Sequence, residues 1–451
     1  GMRFTDAHSA STVCTPSRYA VMTGRMPFRT GFRGVFTGVE GPCLIERERL
    51  TLAEMLQQRG YRTALIGKWH IGATFFDDSG IPVYESSDKE HAALVSHADL
   101  SRPFADGPID HGFDVFFGTI ACPTTDWLYS YIDQDRLTAL PGPVRDRSKR
   151  PIHPWSRHYR AGIVSPDFNF EQVDNVFMQK SLQFLDDHAA QNPDQPFFLF
   201  HSFQAVHLPS LPAPSMKGKT NAGPHGDFIH QLDHITGQLL QKLDQLDLAD
   251  NTLVIFSSDN GPEVTTVLNM LDRYDHDGAH PWRGLKRDMW EGGHRVPFIV
   301  RWPGHTPAGT VNDETISQVD LMHTFAAITG FDLPYDAAED SFNILPALLA
   351  QNSEPIRPFL VQQAVRLDLS IRIGPWKYLN HQGSGGNDYS RPRMEPLRVQ
   401  NTDPDAPGQL YNLDTDPRER NNLYSTHPDR VFDMKLLLEV IRISGRSRDL
   451  L

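Results

Sequence analysis

The stretch from Thr51 to His70, TLAEMLQQRGYRTALIGKWH, holds one complete unit of an alternating fold. Thr51 and Glu54 stand at capping-box spacing, so the Thr hydroxyl can accept from the Glu54 amide while the Glu carboxylate reaches back. Leu52, Met55 and Leu56 then fall on one helical face, and Gly60 can take the left-handed conformation that stops the helix. Tyr61 to Gly67 follows as an apolar run of strand length. Lys68, Trp69 and His70 come where that strand gives way to a loop.

The same alternation recurs downstream. Phe170 to His188 reads as a helix, and Pro196 to Ser202 (PFFLFHS) as a core strand. Phe228, Ile229, Leu232, Ile235, Leu239, Leu243 and Leu246 repeat at helical spacing. Thr252 to Ser258 (TLVIFSS) and Val296 to Trp302 (VPFIVRW) add two more strands. Apolar strands interleaved with amphipathic helices predict an α/β fold, a large mostly parallel sheet sandwiched by helices. Such folds gather chemistry at the carboxyl ends of their strands. Three polar clusters sit there: Lys68-Trp69-His70, His201 to His207, and Asp259-Asn260-Gly261. Past Leu349 the pattern changes to short extended pieces, Ser370 to Ile373 and Trp376 to Leu379, between Gly- and Pro-rich turns. A helix over 428–443 closes the chain. The expected division is therefore 1–349, the large α/β domain, and 350–451, a small antiparallel sheet plus helix.

The formal charge of −13 argues against a nucleic-acid partner, because any affinity for a polyanion has to be local. No apolar run approaches the roughly 20 residues a membrane span needs. Three cysteines imply no disulfide framework, although a Cys43–Cys122 bridge stays open. Cys14 stands out. In Cys14-Thr15-Pro16-Ser17-Arg18 the Thr can cap, the Pro suits a first helical turn, and Gly24 can end the helix. A helix N-terminus favours an anion. The plain alternative is a buried structural cysteine before a short helix.

The segment from Ser9 to Arg25, SASTVCTPSRYAVMTGR, resembles the signature of type I sulfatases, whose C-x-P-x-R cysteine is oxidised after translation to formylglycine. Gly67-Lys68-Trp69-His70, Ser258-Asp259-Asn260-Gly261, Gly284-Leu285-Lys286 and Trp290-Glu291-Gly292-Gly293 are similar to further motifs of that family, in the family's order. The closing Leu410-Tyr411-Asn412-Leu413, Asp416-Pro417 and Glu419 to Leu423 fits as well. The resemblance implies an alkaline-phosphatase-like fold and a sulfuric ester hydrolase. It also implies a role for each matching residue. Cys14 becomes the nucleophile, Arg18 holds it, and Lys68 and Lys286 contact sulfate oxygens. His70 serves as base, and His207 as the acid for the leaving alcohol, with His201 its competitor. Asp259 and Asn260, together with position 14, would bind one calcium ion. A formylglycine-generating enzyme is the implied maturation partner, and the implied location is periplasmic or secreted.

One departure stands against this. Family members open with an apolar strand ending in two adjacent metal-binding aspartates, and no such strand occurs in the sequence. The expectation is a longer natural N-terminus carrying that strand and a signal peptide. The adjacent pairs Asp77-Asp78 and Asp186-Asp187 follow no suitable strand.

A basic and aromatic island, Arg145 to Arg160, lies in a chain of negative net charge. With Trp127 upstream, its Trp155, Arg157 and His158 are the expected contacts for sulfated sugars. Residues 122–136 and His207 to Pro212 resemble bacterial sulfatases acting on sulfated galactans such as carrageenan, which points to a sulfated polysaccharide or oligosaccharide. Two alternatives stay open: a phosphonate or phosphate ester hydrolase of the same superfamily, and a non-catalytic glycan-binding protein.

Overall fold

The computed structural model describes residues 1–84, 96–145 and 161–448, which form two compact units. One unit comprises 1–35, 250–268 and 277–451; the other comprises 36–249 and 269–276. Among the described residues no helix is long and apolar enough to cross a membrane.

In the second unit the stretch from Thr51 to His70 folds as its residues dictate. Glu54 N–H donates to Thr51 Oγ1 at 3.1 Å and Thr51 N–H to Glu54 Oε2 at 2.8 Å, opening the Leu52–Gln58 helix. Gly60 follows with a φ of 84°, and the Arg62–Lys68 strand begins. That strand is central in its sheet, paired in parallel with Phe197–Ser202 on one side and Val115–Thr119 on the other. Ile132–Asp133 and Arg136–Leu137 extend the sheet antiparallel. The Val173–Gln191 helix covers it, with Val173 and Phe177 packed among Ile66, Phe117, Tyr129 and Tyr131. Burial of these aromatics supplies much of the driving force, since each removes a large apolar area from water.

The first unit carries a sheet in the order Val254–Ser257, Phe298–Arg301, Met2–Phe4, Val311–Asn312. Only its last pairing is parallel. Apolar runs mark where strands lie but not their direction, which the connections set. Leu360–Gln363, Leu369–Ile373, Trp376–Leu379 and Gln409–Asn412 form an antiparallel meander, packed against the Pro428–Ile443 helix. The boundary expected at 349/350 does not mark a separate core. Ala10, Ala20 and Met26, near Cys14, share one apolar cluster with Val361, Ile371, Leu410 and Leu438.

A buried ionic relay crosses this unit. Lys377 Nζ lies 2.9 Å from Glu291 Oε1 and 3.0 Å from Glu419 Oε1, all three without exposed side chains. It also donates to His294 Nε2 at 3.1 Å. His294 Nδ1 donates to His8 Nδ1 at 2.9 Å, and His8 Nε2 donates to Asp6 Oδ1 at 2.7 Å. Burial holds both imidazoles below their ordinary range, and because the Asp6 carboxylate only accepts, a neutral His8 carries its proton on Nε2 and accepts at Nδ1. Arg295 and Arg372 close the network on Asp6. His8, Glu291 and His294 lie close enough together to grip a metal ion, but the cation among them is the Lys377 ammonium.

Removing that ammonium strands the buried Glu419 carboxylate, while Glu291 keeps Arg295. Lys377→Met is expected to lose about 3–5 kcal/mol of unfolding free energy in urea titrations at pH 8. Burial already pushes Glu419 up to about 7 with the lysine in place. Without the lysine its folded pKa rises further, so the deficit should shrink as pH falls to 5 and the carboxyl protonates. A deficit that does not change with pH would show that packing, not charge, is what Lys377 supplies.

Candidate active site

In the first unit, Cys14 is the first residue of the Cys14–Thr23 helix. Thr15 is not its cap. The helix begins two residues earlier than expected, and the cap position falls to Val13, whose side chain has no acceptor. Val13 thus offers the first turn no side-chain cap, and a helix N-terminus favours an anion. Gly24 ends the helix in the left-handed region, its amide donating to Ala20 O.

The segment leading to Cys14 is held on both sides. Ser9 N–H donates to His294 O at 2.9 Å, and Arg287 N–H donates to Thr12 O at 2.9 Å. Thr12 N–H and Ser11 Oγ both donate to Gln363 O, on a meander strand. The Cys14 thiol is 98 % buried, with Lys286 Nζ at 3.6 Å from Sγ and Asn260 Oδ1 at 3.5 Å. Arg18 Nε donates to Asp259 Oδ2 at 2.9 Å. Burial works against the Lys286 charge, but Cys14, Glu263 and Asp259 outweigh it and raise its pKa. The Asp259–Gly261 turn reaches this position through a close backbone contact. Gly261 N–H donates to Gly293 O, and a Cβ on Gly261 would stand 1.9 Å from Gly292 O. Cys14, Arg18, Asp259, Asn260 and Lys286 are thus gathered in one unit.

Lys68, His70 and His207 belong to the second unit and follow the carboxyl ends of its parallel strands. Lys68 and His70 are buried. His70 N–H donates to Ile120 O, and its Nε2 donates to Phe36 O at 2.8 Å, leaving Nδ1 as the basic nitrogen. Half-buried His207 donates from Nδ1 to Leu208 O at 2.8 Å. His201 behaves differently: Nδ1 meets Ser181 Oγ at 2.7 Å, and burial pushes its pKa down to about 3.

The His207 loop hangs on Asp174, at the start of the Val173–Gln191 helix. Asp174 accepts from Gln204 N–H at 2.7 Å and Ala205 N–H at 3.1 Å. Gln204 Nε2 donates to Thr124 Oγ1, which donates to Leu208 O at 2.9 Å. Sequence reading missed Asp174 and also Cys122, whose Sγ lies 3.4 Å from His207 Nδ1. No local pattern marks either, because the partners are 30 and 85 residues away.

Trp127 is not presented to a ligand. Its ring is 99 % buried against Gly38, where a Cβ would overlap it at 2.0 Å. Tyr129 and Tyr131 likewise belong to the sheet's core. Trp155, Arg157 and His158 lie outside the described residues. All three cysteines are free, so Cys43 and Cys122 form no bridge. The adjacent aspartates serve locally: Asp77 caps the turn at Ser79 and Ile81, and Asp186 pairs with Lys242.

The donors near Cys14 can be tested against a hard divalent cation. Asp259 and the Asn260 amide oxygen are the right kind of ligand, and a hydrated aldehyde at position 14 would add oxygen. They fit in chemistry while supplying fewer than the six or more oxygens calcium usually takes.

A family model described as Sulfatase matches residues 1–331. An N-acetylgalactosamine-6-O-sulfatase of Bacteroides thetaiotaomicron is 30% identical over 463 residues, 98% of this chain and 86% of that protein. Human arylsulfatase A is 31% identical over 432 residues, 94% of this chain and 76% of its own. A solved structure from work on the metabolism of multiple glycosaminoglycans by B. thetaiotaomicron superposes with a TM-score of 0.80 at 28% identity. It covers 98% of this chain and 92% of the other.

Asp174 yields a pH prediction. Burial pushes its carboxyl from 3.8 up to about 7 against the pull of its N–H donors. A carboxyl with a raised folded pKa contributes most below its unfolded pKa, and that contribution is lost as pH rises through about 7. Urea titrations from pH 4 to 8 should show stability falling across this window by a few kcal/mol. Asp174→Asn should flatten that slope.

Proposed function

This chain belongs to the sulfatase family and is a sulfuric ester hydrolase, and we propose that it releases sulfate from a sulfated polysaccharide or oligosaccharide through a nucleophile made from Cys14. The observation that carries this reading is the uncapped helix N-terminus at Cys14, with the Lys286 ammonium 3.6 Å from its sulfur. A helix N-terminus and an ammonium would both favour an anion at this one oxidisable side chain. A glycan substrate is supported by the 30% identical relative named as an N-acetylgalactosamine-6-O-sulfatase. That name and the galactan-type pattern of residues 122–136 favour galacto-configured sugars, a galactan such as carrageenan among them.

Matured to formylglycine, position 14 supplies a geminal diol, one hydroxyl to attack sulfur and one to expel sulfate afterwards, which serine or thiol lacks. Arg18, oriented by Asp259, offsets negative charge building on that diol. Lys286 and Lys68 take sulfate oxygens, where transition-state charge accumulates. His70, with Nε2 anchored on Phe36 O, accepts a proton at Nδ1. His207, with Nδ1 anchored on Leu208 O, would protonate the leaving alkoxide from Nε2. His201 suits that task poorly, because a site that pushes its pKa down to about 3 keeps it deprotonated. Asp259 and Asn260 would hold calcium, whose bound charge would act as a Lewis acid on the ester.

Two measurements test this. Protein coexpressed with a formylglycine-generating enzyme should carry an aldehyde at position 14 by peptide mass spectrometry. It should release sulfate, not phosphate, across a panel of sulfated and phosphorylated glycans, and Cys14→Ala should abolish release. Phosphate as the main product would move the chain to a different ester.

His207→Ala should lower kcat/KM about 10²-fold or more on alkyl sulfates and far less on nitrophenyl sulfate, because a phenolate leaves without a proton. Equal losses on both would remove His207 from the acid role.

A further inference from the structure

Cys122 has no part in the chemistry assigned above, yet cationic groups face its buried sulfur. Its Sγ lies 3.4 Å from His207 Nδ1 and 3.9 Å from Nε2, alongside the imidazole ring, not on the axis of either nitrogen. Thr125 Oγ1 donates to the same sulfur at 3.1 Å. Because His207 Nδ1–H is already directed at Leu208 O, the sulfur has little role as a proton acceptor from the ring. It is placed as a charge partner. We infer that Cys122 is a positioning residue: its thiolate pairs with the His207 imidazolium and keeps that ring protonated for delivery to the leaving group.

The groups facing Cys122 support this assignment. Burial opposes ionisation of the thiol, but His207, Lys68 and His70 together outweigh it and hold its pKa well below the ordinary thiol range. Cys43 is the internal contrast. Burial and nearby Asp106 and Asp110 push it up to about 12, so it stays a thiol. Topology explains why Cys122 and His207 meet. Val115–Thr119 and Phe197–Ser202 flank the Arg62–Lys68 strand, and the loop after each returns over the same carboxyl edge. The Thr124 hydroxyl then ties the two loops, accepting from Gln204 and donating to Leu208 O.

The consequence is a pH effect with a definite sign. An acid has to be protonated, so turnover on an alkyl sulfate falls as pH rises through the His207 pKa. An opposite charge within a few ångströms raises an imidazole pKa by about 1–3 units. Cys122→Ser removes the charge and keeps the shape. It should move the alkaline limb of the alkyl-to-aryl rate ratio at least about one pH unit lower. A merely structural cysteine would change rates without moving that limb.

The inference rests on His207 as the acid, and the experiment separates the two ideas. The ratio of alkyl to nitrophenyl sulfate turnover is measured from pH 5 to 9 for the parent, Cys122→Ser and His207→Ala. The parent-minus-Cys122→Ser difference spectrum near 240 nm is recorded at pH 6 in parallel, along with that of His207→Ala minus the double variant. Expected are a thiolate band in the first difference, its loss in the second, and the downward limb shift. A limb that stays in place in Cys122→Ser while His207→Ala suppresses the ratio overturns the Cys122 assignment alone. An unchanged ratio in His207→Ala overturns the acid reading, and the positioning role with it. No thiolate band at pH 6 overturns the charge pair directly.

Discussion

The ammonium of Lys377, fully enclosed between Glu291 and Glu419, is the interaction on which the order of the first unit depends. A buried charge in a low-dielectric interior is tolerated only when every partner is in place. Lys377 sits on a meander strand, Glu291 in the turn after Trp290, and Glu419 in the closing loop, while His294 passes its hydrogen bonding on to His8 and Asp6. Chain segments hundreds of residues apart are thus locked together. Ser9 to Val13, the lead into the Cys14 helix, runs directly from this lock.

The same logic explains why the meander lies beside Cys14. Its first strand provides Gln363 O for Thr12 and Ser11, and its core is continuous with Ala10 and Ala20. Reactive side chains need rigid support, and here support comes from a hydrogen-bonded strand and an apolar cluster, not from the helix alone. Electrostatics follow the same plan. The helix N-terminus and Lys286 stand beside one small side chain, while Arg18 is paired with Asp259.

Much of this was legible in the residues. The capping box at Thr51, the strand after it, the strands at 197–202 and 298–301 and the closing helix all form near their expected places, because each rests on local periodicity. Cys14 at a helix start was also legible, from Pro16 and Gly24. The start itself was off by two residues, since a cap depends on backbone geometry that Thr15 does not decide. Trp127 misled for a related reason. An aromatic next to polar residues looks exposed in sequence, yet a glycine 89 positions earlier lets its ring bury completely.

The sequence by itself determined the alternation of helix and strand and the polar clusters at strand ends. These follow from periods of 3.6 and 2 and from side-chain type, which are properties of neighbouring residues. Only the tertiary structure decided which strands run antiparallel, that His201 bonds Ser181 while His207 meets Cys122, and that Lys377 fills what could have been a metal site. The last two of those outcomes set a pKa or a charge, and all of them rest on contacts between residues far apart in the chain. Burial and Coulomb forces act across space, and distance along the sequence carries no record of them.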